Sequence, residues 1–200
     1  KPGEYLPSET QLSESLNVGK SSVREATKML EAVGVVEVVK GHGCRVRTSI
    51  DSHALNPLAY QLILQNNSNH EKLVEFRRII EDAASCLAVS TISDKEIETL
   101  KELHTQMLEN IENNISNLDL DVQFHEFIYA ATQNPFFACV GSAIMTLFKP
   151  SMKVSNEVYP HIVIENHSRI LTAFETRSSE AMHEAILHSI RKWDTLALNP

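Results

Sequence analysis

Two short amphipathic helices, a tight turn and a glycine-centred pair of strands are written into the first fifty residues, and that succession leaves few folds open. In Leu6-Pro7-Ser8-Glu9-Thr10-Gln11-Leu12, Ser8 is placed to cap a helix and Gln11, three residues on, to answer it as a capping box. Leu12 and Leu16 share the face expected to be buried. Asn17-Val18-Gly19 makes a three-residue turn. A second helix is expected from Lys20 to Val33, its stripe formed by Val23, Ala26, Thr27, Leu30 and Val33, with Gly34 ending it. The β-branched run Val35–Val39, the turn Lys40-Gly41-His42-Gly43 and the run Cys44–Thr48 read as a hairpin. Helix, turn, helix and hairpin together make a winged helix-turn-helix.

In that fold the second helix enters the major groove with its first residues facing base edges. Here those are Lys20, Ser21, Ser22 and Arg24, with Val23 turned inward between them. Arg can bond a guanine edge through two parallel N–H groups, and Lys and Ser can reach bases or phosphates. Lys40, Gly41 and His42 would place the wing near the DNA backbone or minor groove. The plainer reading is that these are solvated polar residues of a small interaction domain.

Charge supports a division of labour. The chain of 200 residues carries a net charge of -8, which alone would argue against a nucleic-acid partner. Split at Ile50, however, the first part is +1 and the remainder -9. The acidic load therefore lies in the second part, and the first is free to approach phosphate. We expect a winged helix over 1–50, a linker over 51–57, and an all-α bundle over 58–200, a mainly α protein. Helices are expected near 58–66, 70–90, 93–112, 118–132, 135–152, 160–176 and 178–198. Ser93-Asp94-Lys95-Glu96 is a second capping box, and Asn134-Pro135 gives a cap followed by proline at the first helical position. The span Phe127–Phe148 has no charged residue, but Gln133-Asn134-Pro135 breaks it and Gly141, Ser142 and Thr146 dilute it. Two buried helices meeting at that break fit better than a membrane span. The three cysteines, Cys44, Cys86 and Cys139, are scattered and form no CxxC pair, which suits a reducing cytoplasm.

The second part carries its own chemistry. Asp121 and His125 lie four apart in a run with helical apolar spacing, so both project from one face, one turn apart. His167 and His188 stand on two later helical segments. One carboxylate and three imidazoles suit a borderline divalent ion, with zinc first and nickel or manganese open. Each residue also has a plain reading. A lone helical histidine is more often at the surface or hydrogen-bonded in the core, and Asp121 could simply favour a helix N-terminal turn.

Several of these segments together resemble one family. Leu6-Pro-Ser-Glu9, Gln11-Leu12, Leu16, Val18, Ser22-Val-Arg-Glu-Ala26, Leu30, Gly34-Val-Val36 and Gly41-His-Gly43 resemble the winged helix of GntR-family bacterial transcription regulators. Glu75-Phe-Arg77 through Glu81, Asp121-Val-Gln-Phe-His125, Asn134-Pro135 and the pair His167 and His188 resemble the FadR-like branch, whose helical effector domain is termed FCD. The chain departs from the pattern in three places. The family has a helix ahead of the motif seen here as Pro2-Gly3, so a first helix is expected to be missing ahead of Lys1. Lys20 and Thr10 stand where arginine is common. The resemblance implies a homodimer on two-fold related operator DNA, most often as a repressor, located in the cytoplasm with no membrane role. It assigns Asp121, His125, His167 and His188 to one divalent ion. It also implies a small carboxylate effector beside that ion, with Arg77 and its neighbour Arg78 as the charged partners. A buried ion pair is the alternative role for Arg77. Two other functions compete: a metal-dependent hydrolase or isomerase with an appended winged helix, and a metal-free regulator of acyl ligands.

Overall fold

The computed structural model describes residues 1–48 and 70–196, and the side chains among them except those of His70 and residues 190–196. The expected linker and the helix near 58–66 lie outside the described residues. The chain divides into two compact units, 1–56 and 57–200.

In the first unit, α1 (Glu9–Leu16) and α2 (Lys20–Ala32) are followed by strands β1 (Val36–Val39) and β2 (Gly43–Val46). The capping box forms as the sequence requires: the Ser8 side chain accepts from Gln11 N, and the Gln11 side chain accepts from Ser8 N. Asn17 takes the left-handed conformation that ends α1. The strands pair antiparallel, with Val36 opposite Val46 and Val39 opposite Gly43. Gly41 and Gly43 both have positive φ, which a side chain rarely tolerates. Tyr5 extends the sheet through a bridge to Arg45. The expected apolar stripe is only partly covered. Val23 and Val36 are buried, whereas Leu16, Leu30 and Val33 remain 64%, 40% and 60% exposed. A unit of this size encloses little volume, and none of the described residues covers the outer end of α2.

The second unit is built from α3 (His70–Thr91), α4 (Asp94–Glu112), α5 (Leu118–Ala131), α6 (Pro135–Val158), α7 (Pro160–Glu175) and α8 (Ser179–Leu196). Helix α3 packs on α5 and α8, α5 on α4 and α6, and α7 on α4 and α8. Their inward stripes meet in one core that includes Ala84, Leu100, Phe124, Phe148, Ile170, Phe174 and Met182. Ser93 and Glu96 complete the second capping box, and the Asn134 side chain accepts from Phe136 N ahead of Pro135. Helix α6 runs six residues beyond the expected end. Pro150 lies on its exposed face, while Phe148, Met152 and Ser155 continue the buried stripe around it. The apolar stripe therefore outweighs the local loss of one N–H donor. Gly141 belongs to the same helix, and a Cβ there would stand 2.2 Å from the ring of Tyr129 on α5. Among the described residues, no helix is long and apolar enough to cross a membrane.

Candidate metal centre

Helix α5 presents Asp121 and His125 to the core because Phe124, Ile128 and Tyr129 bury the same side of it. Helix α7 brings His167 inward between Val163, Ile164 and Ile170. Three donor atoms converge. His167 Nε2 is 3.1 Å from Asp121 Oδ1, His125 Nε2 is 3.5 Å from that same oxygen, and the two Nε2 atoms are 3.4 Å apart. All three residues are buried, at 4%, 5% and 2% exposure. Ligands about 2.1 Å from a cation stand about 3.0 to 3.4 Å from one another at right or tetrahedral angles, so the donor spacing fits a divalent ion. The donor types fit as well: one carboxylate and two imidazoles.

The surrounding side chains fix this arrangement. Phe124 stacks on His167 with ring centroids 4.2 Å apart. Asn156 of α6 donates to Asp121 Oδ2 at 2.7 Å and is itself held by Met152 O. On the far side of His125, Nδ1 lies 2.7 Å from Glu81 Oε1. Glu81 Oε2 accepts from Arg77 Nε at 2.9 Å, and the Arg77 guanidinium lies 4.6 Å over the ring of Phe148. Arg77 and Glu81 are each 3% exposed.

The charges in this buried row are mutually dependent. Burial opposes ionisation of Asp121, but hydrogen bonds from His125 and His167 overcome it and hold the carboxyl well below its usual range. Burial likewise opposes a charged His125, yet the Glu81 and Asp121 carboxylates prevail and raise its pKa to about 9. Glu81 is kept ionised against burial by Arg77 and His125.

The structure brings together three of the four residues expected to hold the ion. His188 lies elsewhere: it is exposed on α8, and its Nδ1 is 3.0 Å from Asn166 Oδ1. Asn166 precedes His167 on α7, so its side chain projects toward a different neighbour. The two arginines expected to clamp an acid are separated. Arg77 points inward and is engaged by Glu81, the ion pair that was its alternative role, while Arg78 is exposed one position round the helix. Sequence reasoning gave Glu81 and Asn156 no role at the site. The Arg77–Glu81 spacing of four on an inward stripe was a readable signal for the first, but Asn156 lies beyond the expected end of α6 and offered none.

A cleft of about 460 Å³ opens beside Asn117, Asn156 and His161. The remaining clusters are weaker. His104 Nε2 meets Ser168 Oγ at 3.0 Å, and His183 pairs with Asp82 at 2.9 Å on the surface. Burial, with Asp82 beside it, pushes the Cys86 thiol up to about 11, so it is no nucleophile at neutral pH.

In the winged helix, Lys20, Ser21, Ser22 and Arg24 are all exposed at the start of α2, as are Lys40, Gly41 and His42 at the hairpin turn. Arg24 is not free-standing. Its Nε and Nη2 donate to the two carboxylate oxygens of Glu9 at 3.1 and 2.7 Å.

Comparison with known proteins gives concordant results. Residues 72–192 match the FCD domain, and residues 1–46 match the gntR family of bacterial regulatory proteins. The chain is 24% identical to the HTH-type transcriptional regulator LutR of Bacillus subtilis (strain 168), over 94% of this chain and 88% of that one. It is 29% identical to the HTH-type transcriptional repressor NanR of Enterobacter sp. (strain 638), over 96% of this chain and 70% of that one. Among solved structures, Streptococcus agalactiae GntR superposes with a TM-score of 0.69 at 25% identity, covering 98% of this chain and 91% of the other. The E. coli McbR/YncC structure shares the fold, with a TM-score of 0.59 at 18% identity, covering 99% and 88%.

Proposed function

The chain belongs to the gntR family of bacterial regulatory proteins and carries an FCD domain, and from that membership we propose a repressor whose helical unit senses a small organic acid at a bound divalent cation. Its relatives are transcription regulators and not enzymes. The observation that carries the sensing half is the buried triangle of Asp121 Oδ1, His125 Nε2 and His167 Nε2.

These three residues form the core that holds the cation, with zinc first and nickel or manganese as alternatives. His188 meets Asn166 through Nδ1, which leaves its Nε2 to serve as a fourth ligand if that ring is brought to the cation. Three protein ligands leave positions to which a carboxylate can bind directly. The cleft beside Asn156 offers its approach, since the Asn156 amide already touches Asp121. The acid is therefore bound through the cation, and Arg77 acts from behind His125 rather than as its clamp.

Operator DNA is read by α2 and the wing. Lys20, Ser21 and Ser22 reach the groove, and Lys40, Gly41 and His42 approach the backbone. Arg24 reads a base only when DNA draws it from Glu9. The protein works in the cytoplasm as a homodimer whose symmetry matches a two-fold operator. Two other readings are disfavoured. A hydrolase needs a base at the cation, and Glu126, next to His125, is exposed on the other side of α5. A long acyl ligand gains nothing from three buried polar donors.

The test is operator binding followed by fluorescence anisotropy while small carboxylates are added. With zinc-loaded protein, one class of acid releases the operator, and after chelation of zinc the same acid has no effect. Release that is indifferent to chelation would refute the cation-dependent mechanism.

A further inference from the structure

Behind the three donor atoms lies a buried chain of contacts that a simple ion site does not require: Phe148, Arg77, Glu81, then His125. A histidine has two ring nitrogens, and which one faces an ion is set by the hydrogen bond the other makes. In this protein, His125 turns Nε2 toward Asp121 and His167. Its Nδ1 is 2.7 Å from Glu81 Oε1. We propose that Glu81, held in place by Arg77, is a positioning residue for the cation site: it accepts the Nδ1–H of His125 and so fixes the tautomer that presents a bare Nε2 to the metal. The inference rests on the cation reading of Asp121, His125 and His167.

The geometry gives each group one task. Glu81 has two carboxylate oxygens and divides them, Oε1 toward His125 and Oε2 toward Arg77 Nε at 2.9 Å. Arg77 and Glu81 stand one turn apart on α3, so their pairing is set within a single helix and holds the carboxylate against α5. The Phe148 ring of α6 lies beneath the guanidinium, its centroid 4.6 Å from Arg77 Cζ. The carboxylate is thereby fixed from three helices. A half-turn of the His125 ring would put a carbon where each nitrogen stands and cost both the contact with Glu81 and the approach to Asp121 and His167. The arrangement also gives a task to a buried arginine and glutamate, where a matched pair of apolar side chains would serve stability as well.

The test is zinc titration of the full chain by competition with a chromophoric chelator. Removing the Glu81 carboxylate alone would strand Arg77, so the variant of choice is the double change Arg77→Met with Glu81→Leu, compared with Arg77→Met with Glu81→Gln, which keeps an acceptor for Nδ1–H. The wild-type protein serves as the control for the site: no zinc uptake by it would refute the cation reading itself. Given wild-type uptake, the Arg77→Met, Glu81→Leu variant should bind zinc about ten- to a hundredfold more weakly, with unchanged helical circular dichroism, and the Arg77→Met, Glu81→Gln variant should recover most of that loss. Two-dimensional ¹H–¹⁵N spectra of the zinc-loaded wild type should place the His125 proton on Nδ1. Unchanged zinc affinity in the Arg77→Met, Glu81→Leu variant, or a His125 proton on Nε2, overturns the proposal. A change confined to melting temperature, with affinity intact, assigns Glu81 a structural role only and equally overturns it.

Discussion

Asp121 is the residue on which the site turns. Its Oδ1 is shared by two imidazoles and its Oδ2 is held by Asn156, so both oxygens are oriented before any ion arrives. Asp121→Ala removes the carboxylate of the cluster and should abolish zinc uptake, as should His167→Ala; His188→Ala should leave uptake in place with lower affinity, because three donors converge without that ring. Equilibrium dialysis against zinc separates these outcomes, and complete loss in His188→Ala would make it an obligatory ligand. Protonation follows the same logic. His125 has its pKa raised to about 9 by Glu81 and Asp121 against the effect of burial. It is therefore charged at pH 7 in the metal-free protein and must shed that proton to bind a cation. Uptake at pH 7 should release about one proton per ion, and affinity should rise with pH until about 9. Calorimetry in buffers of different ionisation enthalpy measures the proton count. A count of zero would show that His125 is already neutral.

At the scale of helices, what could be read from sequence depended on whether the signal was local. The two capping boxes and the Asn134-Pro135 start depend on residues within a single turn, and the helices begin where those residues place them. The pairing of Asp121 with His125 was legible for the same reason: one helix, one turn. The position of His167 beside them, and of His188 away from them, depends on how α7 and α8 rotate against α5, which no spacing encodes. The true end of α6 was hidden because Pro150 is a stop signal locally, yet it falls on the outer face of a stripe that continues to Ser155. Two predictions belong here. Ser93→Ala should cost about 1 kcal/mol through loss of the α4 cap. Gly141→Ala should be destabilising by about 1 to 3 kcal/mol, although alanine favours helix, because the added methyl would meet the Tyr129 ring. Urea denaturation measures both. A stabilised Gly141→Ala would mean that α5 and α6 can part without cost.

For the molecule as a whole, the division of charge agrees with the division of labour. The winged helix is nearly neutral and exposes Lys20 and Lys40, whereas the helical unit carries the acidic excess and the buried cluster of Asp121, His125 and His167. If acid binding at the cation weakens operator binding, then operator must weaken acid binding by the same factor. Titrating the acid with and without operator should show this difference, and equal affinities would exclude coupling. All of this depends on one ion being held where three donor atoms meet. The most direct measurement is the zinc content of purified protein, wild type against Asp121→Ala, after loading and extensive dialysis. One zinc per chain in the wild type and none in the variant is the predicted result. No zinc in either, or equal zinc in both, would contradict the metal centre and leave the FCD unit without the sensing chemistry proposed for it.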